Sequence, residues 1–217
     1  MLKLFGVVDT RTFRNAWMLE ELGLAYEQVP VEETETRTPA HLAVNPNGHV
    51  PVLQDGDFTL VESMAINLYL AAKHGNGLWP ATVEDRGRAL QWSFWAQLEL
   101  EGHLETCMNH RWFYDPDCRD ALLADRAEDA LAQPLGVLND ALAGRPHLLG
   151  DAFTVADLNV AAVVSWARFG LVSLSDWPAV SDWLGGCLGR PARRAATAKG
   201  PRTQLDLIGK FRPAAEH

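Results

Sequence analysis

The sequence predicts an α/β unit followed by an all-helical one, and three observations carry that reading. Apolar strand-like runs at residues 2–8 and 26–31 flank an amphipathic helical pattern, which makes a β-α-β unit. Asp55-Gly56, a strong short hairpin signal, joins two further strands that lead into another helical pattern. Beyond the turn-rich Gly75-Asn76-Gly77-Leu78-Trp79-Pro80, every long pattern is helical.

Taken in order, Leu2-Lys3-Leu4-Phe5-Gly6-Val7-Val8 is mostly apolar and is expected to be a strand buried on both faces. Asp9, Thr10 and Thr12 are each suited to capping the helix that follows. In that helix Phe13, Trp17, Met18 and Leu22 recur at helical spacing, and Gly23 ends the run. The second strand, 26–31, follows a crossover and is therefore parallel to the first. Residues 32–43 are polar, contain Pro39, and read as loop plus a short helix. Residues 52–54 and 58–61 form the hairpin, and 63–74 the next helix. After the break, residues 84–114 read as one long helix. A second helix is expected over 117–142, kinked by Pro134. Thr154-Val155-Ala156-Asp157 has a capping-box pattern with Asp in place of Glu. The apolar run behind it, 160–166, is expected to be the buried central helix, and 178–188 and 190–198 supply two shorter ones. The expected domains are 1–77 and 84–217.

Composition bounds the function. The chain has 217 residues, 47% hydrophobic and 22% charged, which is ordinary for a globular protein with a real core. A formal charge of −9 argues against nucleic acid, whose binding needs dense Lys and Arg contacts. Any acidic ligand must be held by local dipoles and donors. Cys107, Cys118 and Cys187 are odd in number and lack C-x-x-C spacing, which fits a reducing compartment. No apolar run approaches the roughly 20 residues of a membrane span. The first apolar run stops at Asp9-Thr10-Arg11 without a basic lead-in or cleavage signal, so a strand and a cytoplasmic location are expected.

The stretch with chemical content is Asn45-Pro46-Asn47-Gly48-His49-Val50-Pro51-Val52-Leu53, followed by Val61-Glu62-Ser63. An X-Pro bond adopts cis at modest cost. In that form the N–H and C=O of Val50 turn outward, free to pair with an extended peptide. At Glu62-Ser63 a hydroxyl and the first N–H groups of a helix are placed to hold a carboxylate. Together they suggest a site for a small acidic peptide.

The order of elements, the Val50-Pro51 loop and Glu62-Ser63 resemble the cytosolic glutathione transferase family. The resemblance is also carried by Thr10-Arg11-Thr12-Phe13-Arg14, residues 17–24, Ala65-Ile66, Tyr69-Leu70-Ala71, Thr154 to Asp157 and Arg190-Pro191. It implies a thioredoxin-like N-terminal domain of order β-α-β-α-β-β-α, then a helical bundle, in a cytoplasmic homodimer. It is closest in kind to the varied bacterial members whose activating group is a hydroxyl.

The resemblance further implies glutathione as co-substrate, with no metal, and a small hydrophobic electrophile as partner. Val50, before Pro51, would pair with the cysteinyl backbone. Glu62 and Ser63 would hold the γ-glutamyl end, and His49 would meet the glycine carboxylate or nearby backbone. The helical domain would supply a second-substrate pocket, for which His110 and Trp112 are candidates. Members that use tyrosine carry it in or just after the first strand, where this chain has Phe5 and no Tyr. Members that use cysteine carry it at the first helix, and here no Cys precedes Cys107. Serine-type members place Ser four or five residues ahead of the Arg matching Arg14, where this chain has Thr10 and Asp9. Thr10 is therefore the expected activating hydroxyl, with Thr12 as the spare and Arg11 as an extra donor; the competing reading is that both threonines only cap the helix.

A non-catalytic glutathione-binding module is the main rival, because Thr10 and Asp9 depart from the family pattern. A glutathione-dependent isomerase is the lesser one, since its Ser-Ser-Cys signature is replaced by Asp9-Thr10-Arg11. Glu99, His103, Cys107 and His110 fall near one helix face with metal-ligand chemistry, but one helix rarely completes a coordination shell, so a cleft or dimer surface is expected there. The run His110-Arg111-Trp112-Phe113-Tyr114 has two readings, a wall of the second-substrate pocket or ordinary packing with Arg111 lying along the surface.

Overall fold

The computed structural model describes residues 1–199. It resolves them into two compact units, one of Met1–Leu70 with the segment from Pro191, the other of Ala71–Arg190. Residues 200–217 of the expected helical domain lie outside the described residues.

In the first unit the elements are β1 (Leu2–Phe5), α1 (Thr12–Glu21), β2 (Tyr26–Val29), α2 (Pro39–Leu42), β3 (Val52–Asp55), β4 (Phe58–Val61) and the start of α3 (Ser63–His74). This is the β-α-β-α-β-β-α order expected. The sheet order is β2-β1-β3-β4. β1 runs parallel to β2, as the crossover requires, and antiparallel to β3, which forms the hairpin with β4.

β1 corrects the expectation of a strand to Val8 buried on both faces. It stops at Phe5 because Gly6 turns to φ +122°. Its burial alternates, with Leu2 and Leu4 inside while Lys3 pairs with Glu27 across the surface at 3.3 Å. β2 ends at Val29, before Pro30, which lacks the N–H to continue a ladder. Trp17, Met18 and Leu19 of α1 are fully buried. The final described helix, α9 (Pro191–Ala198), packs on α1. Lys199 then ties to Glu20 at 2.5 Å with its ammonium 4.2 Å from the Tyr26 ring centre.

The second unit is helical. Residues 83–113 form one continuous helical path, but its hydrogen-bond register shifts twice. α4 (Val83–Trp95) widens into a π turn (Ala96–Glu101), and α5 (Gly102–Met108) into another (Asn109–Phe113). The helix expected from residue 117 begins later, as α6 (Ala121–Leu142). Pro116–Cys118 is a separate 3₁₀ turn, and Asp120 provides the cap by accepting the Leu123 N–H at 3.1 Å. Pro134 lies inside α6. α7 (Val155–Val164) is buried along its whole length and starts earlier than the apolar run suggested. The expected capping box forms: Asp157 Oδ2 accepts from Thr154 N at 2.9 Å and Thr154 Oγ1 at 3.1 Å. Asp157 Oδ1 accepts from Leu148 N and Trp183 Nε1, so this buried carboxylate ties α7 to the 147–150 turn and to α8 (Pro178–Leu188).

Candidate functional site

The Val50-Pro51 loop is held from behind by the buried side chains of Asn45 and His41. Asn45 Nδ2 donates to His49 C=O at 2.8 Å, and His41 Nε2 shares that oxygen at 3.0 Å. Asn45 Oδ1 also accepts the Asn47 N–H at 3.1 Å, and Gly48 N donates to Asn45 C=O at 2.9 Å. Asn45 and His41 are buried, whereas the His49 side chain is exposed. The His49 carbonyl and the Val50 N–H share one peptide plane, so fixing the carbonyl inward turns the Val50 N–H the opposite way. The Val50-Pro51 bond is cis. Among the described residues, neither the N–H nor the C=O of Val50 forms a hydrogen bond. Gly48, at φ +62°, has the Arg37 side chain packed where a Cβ would stand. Sequence reading passed over Arg37, an exposed cation beside this loop, because it lies in a polar connector.

At the start of α3, Glu62 is exposed and adopts φ +70°, while Ser63 is buried. Arg14 Nη1 donates to Ser63 Oγ at 3.2 Å, and Asn15 Nδ2 donates to Ser63 C=O at 2.8 Å. Asn67 completes the cluster, accepting from Asn15 at 2.7 Å and donating to Arg14 C=O at 3.3 Å. These polar side chains on α1 and α3 are buried. A helical pattern in a sequence marks apolar faces, and nothing in it flags a polar cluster that spans two helices. The Ser63 hydroxyl accepts from Arg14, and among the described residues it donates to no acceptor.

The turn before α1 is different. Thr10 Oγ1 lies 2.7 Å from Val7 C=O and 2.9 Å from Thr12 Oγ1, and it accepts the Thr12 N–H at 3.2 Å. A hydroxyl has one proton. Its single proton therefore serves either Val7 C=O, the shorter contact, or Thr12 Oγ1. Thr12 is fully buried, its hydroxyl packed under Gly6. Asp9 is exposed and Thr10 partly so, and Arg11 stands at the helix start without a side-chain cap bond.

In the second unit, His110 and Trp112 sit half-buried on the second π turn. His110 Nδ1 accepts the Asp120 N–H at 3.0 Å, and its ring meets Tyr114 edge-on at 5.1 Å. The Trp112 ring lies 6.4 Å from that of Phe169, and its carbonyl accepts from Arg119 Nη2 at 2.6 Å. Arg111 does more than lie along the surface: it bonds Glu128, Asp125 at 3.3 Å and Gly170 C=O at 2.8 Å, joining the π turn to α6 and the 170–171 turn. Cys107 is fully buried with Sγ 3.5 Å from Ala124 C=O, and burial pushes its thiol pKa up against the nearby Arg111 charge. Glu99, by contrast, is exposed. Among the described residues no cluster of three or more His, Cys, Asp or Glu side chains is arranged to hold a metal.

Comparison with known proteins agrees across both units. Residues 1–72 match the family described as glutathione S-transferase, N-terminal domain, and residues 121–186 the one described as glutathione S-transferase, C-terminal domain. Glutathione S-transferase 3 of Zea mays is 34% identical over 92% of this chain and 95% of its own length. A solved structure of glutathione S-transferase I bound with lactoylglutathione superposes with a TM-score of 0.81 at 30% identity, covering 91% of this chain and 98% of that one. A glutathione transferase from Burkholderia graminis, solved with two glutathione molecules per subunit, gives 0.81 at 29% identity, covering 90% and 86%.

Proposed function

Because the chain belongs to the glutathione S-transferase family, we propose that it binds glutathione along the Val50 edge and transfers its sulfur to a small hydrophobic electrophile. The observation that carries this is the pair of unspent groups in the first unit: the Val50 amide edge and the Ser63 hydroxyl proton. Val50 pairs with the cysteinyl backbone in this reading. The Glu62 carboxylate takes the γ-glutamyl ammonium, and Ser63, with the first N–H groups of α3, takes its carboxylate. His49 and Arg37 serve the glycine end.

A free thiol near pKa ~8.5 is only slightly ionised at neutral pH. A hydrogen bond to the thiolate, worth roughly 1.5–3 kcal/mol, lowers that pKa by about one to two units. Thr10 is the proposed donor, with Arg11 as a second; to serve, Thr10 turns its proton from Val7 C=O or Thr12 Oγ1 to sulfur. The thiolate then attacks the electrophilic carbon. A C–S bond forms, and the displaced electron pair leaves with the leaving group or is protonated on the acceptor. Thr12, buried under Gly6, buttresses Thr10 in this scheme.

Residues 1–77 serve glutathione and 84–217 the second substrate, with His110 and Trp112 in its pocket, the protein working as a cytoplasmic homodimer. What favours a second copy is the stripe Leu90, Phe94 and Leu98, exposed at four-residue steps in the helical unit. No described helix is long and apolar enough to cross a membrane.

The engaged Thr10 proton supports one alternative, a module that binds glutathione without activating it. Ultraviolet thiolate absorbance of bound glutathione at neutral pH separates the two. A band, with turnover of a chromogenic aryl halide, is expected; bound glutathione lacking both would leave the binding module.

A further inference from the structure

We propose that Arg14 is a positioning residue that aims the Ser63 hydroxyl. This rests on the glutathione-binding reading above and adds a determinant of which peptide end is accepted. Arg14 is 1% exposed and Ser63 3% exposed. The guanidinium cannot accept a hydrogen bond, so at the 3.2 Å contact Ser63 Oγ must be the acceptor. That occupies a lone pair on the inner side of the oxygen and leaves its single proton for an outer acceptor. A neutral partner such as Asn or Thr would allow the reverse arrangement, in which the hydroxyl donates inward and presents only lone pairs, which repel a carboxylate. Arginine forbids it. Arg14 is itself held in register: its carbonyl accepts from Asn67, and its neighbour Asn15 bonds both Ser63 C=O and Asn67. The cluster therefore fixes the Ser63 oxygen and its polarity together. Arg14 selects for a carboxylate at the start of α3 without touching it.

The test compares glutathione with 4-aminobutanoyl-cysteinyl-glycine, which lacks only the γ-glutamyl carboxylate, by calorimetry on the full chain. Wild type should prefer glutathione by roughly tenfold or more, as a charge-assisted hydrogen bond does. Arg14→Gln, whose side-chain oxygen offers the hydroxyl an inward acceptor, should reduce that preference to within about twofold while the analogue's affinity stays unchanged. A merely structural role would weaken both ligands alike, and that result overturns the proposal, as does an unaltered preference. Should Arg14→Gln lose its native circular dichroism, Arg14→Lys decides: because lysine can only donate, a retained preference upholds the role of position 14 and a collapsed one overturns it. Wild type that binds neither ligand removes the underlying glutathione reading. Wild type that binds both equally removes only the role of Arg14.

Discussion

Two hydroxyls in the first unit, those of Ser63 and Thr10, are chemically alike and placed very differently. Ser63 accepts from Arg14 and, among the described residues, donates to no acceptor. Thr10 has its proton engaged by Val7 C=O at 2.7 Å or Thr12 Oγ1 at 2.9 Å, and it accepts the Thr12 N–H at 3.2 Å. One is prepared to bind, while the other must exchange a bond before it can act on sulfur. Under the proposed function, the binding region is complete in the fold while the activating region is still committed to its own turn. Affinity for glutathione and acceleration of its chemistry should therefore respond to different substitutions.

The largest effect should come where the two regions meet. Gly6 sits at φ +122°, and a Cβ there would lie 2.1 Å from Thr12 Oγ1 and 3.0 Å from Val50 Cβ. Gly6→Ala should cost about 3 kcal/mol or more in denaturant unfolding, combining backbone strain with overpacking. A neutral result would mean the Thr turn and the Val50 loop do not share this support. Glu62→Ala comes next and should weaken glutathione binding by roughly 1.5–3 kcal/mol with little change in melting temperature, because the side chain is exposed. Unchanged calorimetric affinity would remove Glu62 from the binding half. Asn45→Ala should cost about 1 kcal/mol of stability, since the His49 carbonyl loses one of its two partners and the Asn47 N–H loses its acceptor, while His41 remains. Glutathione affinity should fall in parallel if that carbonyl sets the Val50 edge. The last two effects are the most informative about the contrast. Thr10→Val should leave affinity within about twofold while turnover falls about tenfold, near 1.4 kcal/mol. Thr12→Val should act mainly on stability, by about 1 kcal/mol, as loss of a buried hydroxyl contact does. The reverse pattern would make Thr12 the activating group.

Much of this was legible in the chain because it rests on local patterning. The β-α-β crossover, the Asp55-Gly56 hairpin, the Thr154–Asp157 box and the buried run behind it all announce themselves through period or capping chemistry. Glu62-Ser63 stood out for the same reason, at the start of a helix. What escaped was set by distant partners. Asn15 and Asn67 draw no notice in the sequence and Arg14 serves only as a family landmark without a role, yet they pack together below Ser63. Arg111 looked like a surface cation but joins three segments. The register shifts at Ala96 and Asn109 carry no proline or glycine to mark them. Nor does composition reveal that Thr10 and Thr12 satisfy each other, since each is equally suited to capping alone.

Isothermal titration of glutathione into the full chain tests the central claim most directly. Saturable heat at submillimolar to millimolar concentration, lost in a Glu62→Ala, Ser63→Ala double variant that keeps its fold, is the predicted outcome. No heat from folded wild-type protein at millimolar glutathione would contradict it.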